Sequence, residues 1–147
     1  MDLSSNLGGA TTSSKISIAP EGYAMTITPL SIALVALGGA IGAVLRFTVG
    51  QFVDSSQFPW ATFVVNVTGS FLLALITFSF TGLSAETRLF LFTGLFGAFT
   101  TMSTFSLETT QLLFDGKTLQ AGINIFLNAG LCVLGAILGK YASVLFA

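Results

Sequence analysis

Histidine is absent from this 147-residue chain, cysteine occurs once, at Cys132, and only five basic and six acidic residues are present. A single cysteine excludes an internal disulfide framework. Without histidine, the usual His/Cys zinc sites have no ligand set. Five Lys and Arg residues in a chain of net charge −1 leave no basic patch for nucleic acid, so no nucleic-acid partner is expected. Soluble domains are about one quarter charged, whereas this chain is 7% charged and 53% apolar. A soluble domain of this size cannot bury so much apolar surface. The membrane is the environment that remains.

The positions of the few charges divide the chain. Uncharged runs of 24, 31, 19 and 22 residues lie between Glu21 and Arg46, Asp54 and Glu86, Arg88 and Glu108, and Lys117 and Lys140. About 20 apolar residues in a helix cross a bilayer core. Four membrane-spanning helices are therefore expected, over 29–53, 58–80, 87–112 and 119–145, joined by short connectors. The runs do not alternate as lipid-facing β-strands must, which leaves an all-α integral membrane protein. Residues 1–25 are rich in Ser, Gly and Thr and read as a disordered tail, with the membrane domain in 26–147. No basic start followed by an apolar run precedes residue 26, so a conventional signal peptide is not indicated.

Four spans place Arg88 and Lys140, with Lys15 farther off in the tail, on one side of the membrane and Arg46 and Lys117 on the other, two against two once the tail is left out. The Lys/Arg bias that orients membrane proteins is absent. Insertion in both orientations, and hence an antiparallel homodimer, is the expectation; a weak bias or a partner-fixed orientation are the alternatives.

Several residues do not look like lipid-facing filler. In span one, Gly38 and Gly42 form a small-xxx-small stripe with Gly39 and Ala43 beside it, which lets another helix approach closely. Arg46 continues that face, either snorkelling from the helix end or lining a wet vestibule. In span two, Thr62, Asn66 and Ser70 share a face; Asn66 needs a hydrogen-bond partner in hydrocarbon and serves either as interhelical glue or as part of a polar conduit. Span three carries Thr100, Thr101, Ser103, Thr104 and Ser106, five hydroxyls in seven residues, followed by Glu108. Such a run bonds back to its own backbone, and a helix break is expected there, a construction that makes ion sites when freed groups stay buried. Phe96, Phe99, Met102 and Phe105 recur every three residues. In span four, Asn124 is expected near an interface, Asn128 repeats the Asn66 argument, Cys132 is a small packing residue, and Gly135 and Gly139 form another close-contact stripe. Ser103 has no nearby base and carboxylates do not cluster, so an enzyme is not indicated. Transport is the better class.

The GGxxGAxxR run at 38–46, the Thr62/Asn66 pair, Gly94 through Ser106 with Glu108, and the Asn128/Cys132 region together resemble the Fluc/CrcB family of small fluoride channels. The resemblance covers residues 30–145. It implies four transmembrane helices per chain with a break in the third, paired in an antiparallel dual-topology homodimer. That dimer would carry fluoride passively out of the cytoplasm through two pathways, in the plasma membrane (the inner membrane of a bacterium). It also implies a structural sodium ion held by backbone carbonyls that correspond to Gly97 and Thr100. Asn66 matches the pore-lining asparagine, and Met102 and Phe105 match two phenylalanines. Thr62, Asn128 and Cys132 match a polar track, Ser103 and Thr104 two hydroxyl positions, and Arg46 an arginine near the entrance. The chain departs from the family twice. Met102 lacks the positive ring edge a phenylalanine offers an anion, and Cys132 is a poorer donor than the usual serine.

A dual-topology small multidrug or cation antiporter shares the length and span count. It would need a carboxylate in the middle of span one, where Arg46 is the only charge. A non-transporting assembly subunit has only the glycine stripes in its favour.

Overall fold

Thr28 and Ser31 open the first helix as a capping box. The Thr28 hydroxyl accepts from the Ser31 N–H at 3.1 Å and the Ser31 hydroxyl accepts from the Thr28 N–H at 2.9 Å, with Pro29 at the first helical position. The structure, a computed structural model, describes residues 27–146; the reading of 1–25 as a disordered tail lies outside the described residues. Helix α1 covers Pro29–Phe52 and α2 covers Trp60–Ser79. The third span, Ala85–Phe114, is a composite. It starts as α3 (Ala85–Arg88), widens into π-type turns over Leu89–Phe96, returns to α4 (Gly97–Phe99) and resumes after an interruption as α5 (Met102–Phe114). The fourth span, Thr118–Ser143, runs from α6 (Thr118–Phe126) through a π-wound stretch at Leu127–Leu131 into α7 (Cys132–Ser143).

All four spans are long and apolar enough to cross a membrane. Their ends agree with the ranges expected from the charges to within two residues. Most of each span faces outward, and only 11% of the apolar window of α1 is buried. Large side chains such as Leu37, Val44, Phe47, Ile125, Val133 and Tyr141 are exposed. A lone chain in water could not tolerate this surface; lipid or another apolar protein face must cover it.

Glycines set the helix pairing. A Cβ at Gly38 would strike Phe90 O and come within 2.9 Å of Leu95 N, and one at Gly42 would strike Leu95 O. Gly94 approaches from the opposite side, where a Cβ would lie 3.0 Å from Gly38 Cα. Span one therefore lies backbone-to-backbone against the π-wound first half of span three, as its glycine stripe predicts. Gly139 does the same between α7 and α2, where a Cβ would meet Phe71 O and lie 3.0 Å from Leu75 N. Helix α5 ends at Gly116, whose φ of +74° suits glycine, and the Lys117 N–H closes the cap on Leu112 O at 2.8 Å. Arg88 and Lys140 lie over the Phe92 and Phe78 rings at 5.2 and 5.1 Å, so both cations near this face rest on aromatic supports.

The π-wound stretches were not foreseen. Their extra residue per turn leaves no mark on apolar spacing in segments that are apolar on nearly every face. The interruption of span three falls inside the Phe96/Phe99/Met102/Phe105 stripe. Phe96, Phe99 and Phe105 are buried, whereas Met102 is 72% exposed.

Candidate functional site

Span three stops being helical at Thr100 and Thr101, whose backbones are extended, with φ −79°, ψ 159° and φ −151°, ψ 111°. Their hydroxyls fix the position of the interruption. Thr100 Oγ1 donates to Phe96 O at 2.9 Å and closes α4, while Thr101 Oγ1 accepts from the Thr104 N–H at 3.2 Å and caps the start of α5. The Thr101 hydroxyl proton goes to Thr104 Oγ1 at 2.8 Å.

The interruption redirects backbone bonds. In an unbroken helix the Thr101 N–H would donate to Gly97 O; here it donates to Asn66 Oδ1 at 2.8 Å. The Thr104 N–H would donate to Thr100 O and is instead taken by the Thr101 hydroxyl. The Gly97 and Thr100 carbonyls thus lose their helical donors, and they are the two that the sequence resemblance assigns to a sodium ion. Gly97 lies exposed on the outer face of the chain and Thr100 is half-buried.

Asn66 braces the interruption from α2. Besides accepting from the Thr101 N–H, its Nδ2 donates to Thr101 O at 3.1 Å and to Asn128 Oδ1 at 2.9 Å. Asn128, in the π-wound part of span four, donates to Asn124 O at 3.2 Å and Asn124 Oδ1 at 2.9 Å. Asn124 Nδ2 donates to Thr109 Oγ1 at 2.9 Å, and the Thr109 hydroxyl donates to Phe105 O at 2.7 Å. Asn66, Thr101, Asn124, Asn128 and Thr109 are all buried. Both amide protons of Asn66 are thereby in use, so it acts as interhelical glue across spans two, three and four.

Two cavities flank the Asn66–Thr101 contact. One, of about 270 Å³, is lined by Asn66, Thr101, Met102, Phe105, Asn128 and Cys132, with Ser70 in the same lining. The other, of about 210 Å³, is lined by Arg46, Gly50, Thr62, Val65, Thr101 and Thr104. Thr101 borders both. The residues read from sequence therefore fall into two groups on either side of the interruption. Ser103 is outside both linings, exposed, and 3.4 Å from the Thr101 hydroxyl. In the second group, Thr62 Oγ1 donates to Glu108 Oε1 at 2.8 Å, while Glu108 Oε2 is buried with no partner among the described residues.

Sequence reasoning passed over three participants. Thr101 was one hydroxyl among five, although its place beside Thr100 at the suspected break was a usable signal. Asn124, expected near an interface, is fully buried and hydrogen-bonded, and Thr109 carried no signal. The partners of both are set by tertiary packing.

Four apolar spans, an interrupted helix with redirected backbone groups, and a buried polar chain beside paired cavities define a multi-pass membrane protein. Residues 33–140 match the family described as CrcB-like protein, Camphor Resistance (CrcB). The chain is 40% identical over 117 residues to the "Fluoride-specific ion channel FluC" of Ruminiclostridium cellulolyticum, covering 76% of this chain and 90% of that protein. It is 43% identical over 119 residues to the "Fluoride-specific ion channel FluC 1" of Methanosarcina acetivorans (78% and 91%), and 44% identical over 115 residues to the FluC of Shewanella sp. strain ANA-3 (75% and 93%). The chain belongs to the CrcB/FluC family, whose members are membrane channels and not enzymes. It resides in the cell's inner membrane as a multi-pass protein.

Proposed function

We propose that this protein is a passive fluoride channel that lets cytoplasmic fluoride leave the cell through two pathways in an antiparallel, dual-topology homodimer. The observation that carries this reading is the interruption at Thr100–Thr101 with a cavity on each side of it, in a chain whose relatives bear the name fluoride-specific ion channel. The split of Lys and Arg near the spans, two against two once the distant Lys15 is left out, supports dual insertion. The extensive outward apolar surface supports pairing with a second copy.

Fluoride is small and strongly hydrated, so each water it sheds must be replaced by a donor of short reach. It would enter past Arg46, whose positive charge raises the local anion concentration, and meet the Thr104 hydroxyl and that of Thr62, which must first turn its proton from Glu108 Oε1, with Ser103 beside them. On the other side it would meet the Asn66 and Asn128 amides, the Phe105 ring edge and the Cys132 thiol. Asn66 can bind fluoride only by turning an N–H away from Thr101 O or Asn128 Oδ1. The protein's own oxygens thus compete with the ion, which favours dehydration without trapping it. Met102 contributes polarizable bulk in place of a ring edge.

A sodium ion fits the donor set as a structural group. The Gly97 and Thr100 carbonyls are hard oxygen ligands freed of their helical donors, and Gly97 is on the outer face, where a second copy could complete the set. Sodium would supply the positive charge that satisfies those carbonyls. Cation antiport has less support, because Arg46 is the only charged residue of α1.

Purified protein in liposomes, read with a fluoride electrode, tests the reading. Ionophore-supported fluoride efflux without comparable chloride or drug transport is expected. Absence of fluoride efflux at both low and high sodium would overturn it.

A further inference from the structure

One continuous run of buried hydrogen bonds from the Thr101 N–H to Phe105 O has a single sense, with Asn66 also returning an N–H to Thr101 O and Asn128 giving a second to Asn124 O. The Thr101 N–H donates to Asn66 Oδ1, Asn66 to Asn128 Oδ1, Asn128 to Asn124 Oδ1, Asn124 to Thr109 Oγ1, and Thr109 to Phe105 O. The two ends leave no freedom. A backbone N–H can only donate and a backbone carbonyl can only accept. The single proton of Thr109 is spent on Phe105 O, so its oxygen must accept from the Asn124 NH₂. That turns Asn124 Oδ1 toward Asn128, which must then donate. Asn128 consequently offers its oxygen to Asn66, whose NH₂ is the donor.

Turning over any one of these amides would set oxygen against oxygen on one side and NH₂ against N–H or NH₂ on the other. In a buried, low-dielectric setting both faults are costly, and head-to-tail bonds polarise and strengthen one another. Asn66 and Asn128 line the larger cavity, whereas Thr109 and Asn124 do not. An amide free to turn over would offer an anion its negative oxygen as readily as its N–H.

We propose that Thr109 and Asn124 are positioning residues that help fix which way round the Asn128 and Asn66 amides sit, so that an N–H released from its protein acceptor, and not an amide oxygen, meets a passing anion. They act through the order of the chain and do not touch the ion. This deepens the fluoride-channel reading and rests on it.

The test is single-channel-equivalent flux in sparsely loaded liposomes. The fraction of active vesicles reports folding and insertion, and the rate per active vesicle reports the pathway. Thr109→Val keeps the side-chain shape and removes the terminating hydroxyl. One buried bond lost and one amide freed predict a per-channel fluoride rate roughly tenfold lower and weaker discrimination against chloride. Thr109→Ser restores the hydroxyl and should return both to near wild type, an outcome a merely structural packing role would not give. Asn124→Leu removes the next link and should reproduce the Thr109→Val phenotype, so either variant suffices if the other does not reconstitute. Wild-type rate and selectivity per active vesicle in either variant would overturn the inference, as would a Thr109→Ser protein as defective as Thr109→Val. A wild-type protein that passes no fluoride would instead overturn the channel reading itself.

Discussion

Spans three and four both depart from regular helix next to buried polar side chains, yet span three breaks and span four only widens. At Thr100–Thr101 the redirected N–H groups of Thr101 and Thr104 find substitutes close by, while the Gly97 and Thr100 carbonyls lose their helical donors. The two threonine hydroxyls serve the ends of α4 and α5, and Asn66 arrives from α2 to take both the N–H and the C=O of Thr101. Around Asn128 the side chain bonds back to Asn124 O one turn earlier, and the chain needs only a wider turn over Leu127–Leu131 to accommodate it. A helix can open inside a membrane where another span supplies both a donor and an acceptor; elsewhere it stays closed. Asn66 is that supply, and Asn128 is its link to span four.

The comparison also separates anchoring from opening. The first half of span three is held against span one through Gly38, Gly42 and Gly94, and span four is held against span two through Gly139. These dry contacts keep the helices in place while the polar residues reshape the backbone between them.

The largest expected effect comes from removing an anchor. Gly42→Leu puts a side chain where even a Cβ would strike Leu95 O and lie 3.0 Å from Phe99 N. A loss of about 3 kcal/mol or more is expected from such overpacking, seen as early thermal unfolding in detergent and poor recovery of monodisperse protein. Near-normal melting would show that the π-wound half of span three yields more readily than its backbone contacts imply. A smaller effect is expected from Asn128→Ala, which removes the link between Asn66 and Asn124 but leaves the Asn66–Thr101 pair intact. About 1–2 kcal/mol is expected to be lost, with span three still interrupted and the turns at 127–131 closer to regular helix. A structure of this variant with span three closed would mean that the interruption depends on span four as much as on span two.

The spacing of charges located all four spans, because eleven charged residues in a membrane chain can lie only near span ends or in protected sites. The hydroxyl run placed the interruption within 100–106, and the glycine stripes named the close contacts. The partners of the polar groups were not legible. Asn66 meets Thr101 across 35 residues of sequence and Asn128 across 62, and periodicity along one helix says nothing about the face that another helix turns toward it. The buried placement of Asn124 and Thr109 was hidden for the same reason. The division of the candidate residues between two cavities likewise required the third dimension.

In the proposed channel, the Asn66 brace at the interrupted helix makes the fluoride pathway. Fluoride release per active vesicle, compared between wild type and Asn66→Leu, tests it most directly. Leucine leaves the Thr101 N–H unpaired, takes the Asn66 donor from the Thr101 C=O and removes the amide from the cavity, so a rate at least ~100-fold lower is predicted, from two or more buried hydrogen bonds lost. An Asn66→Leu channel that passes fluoride at the wild-type rate, still excluding chloride, would contradict the account.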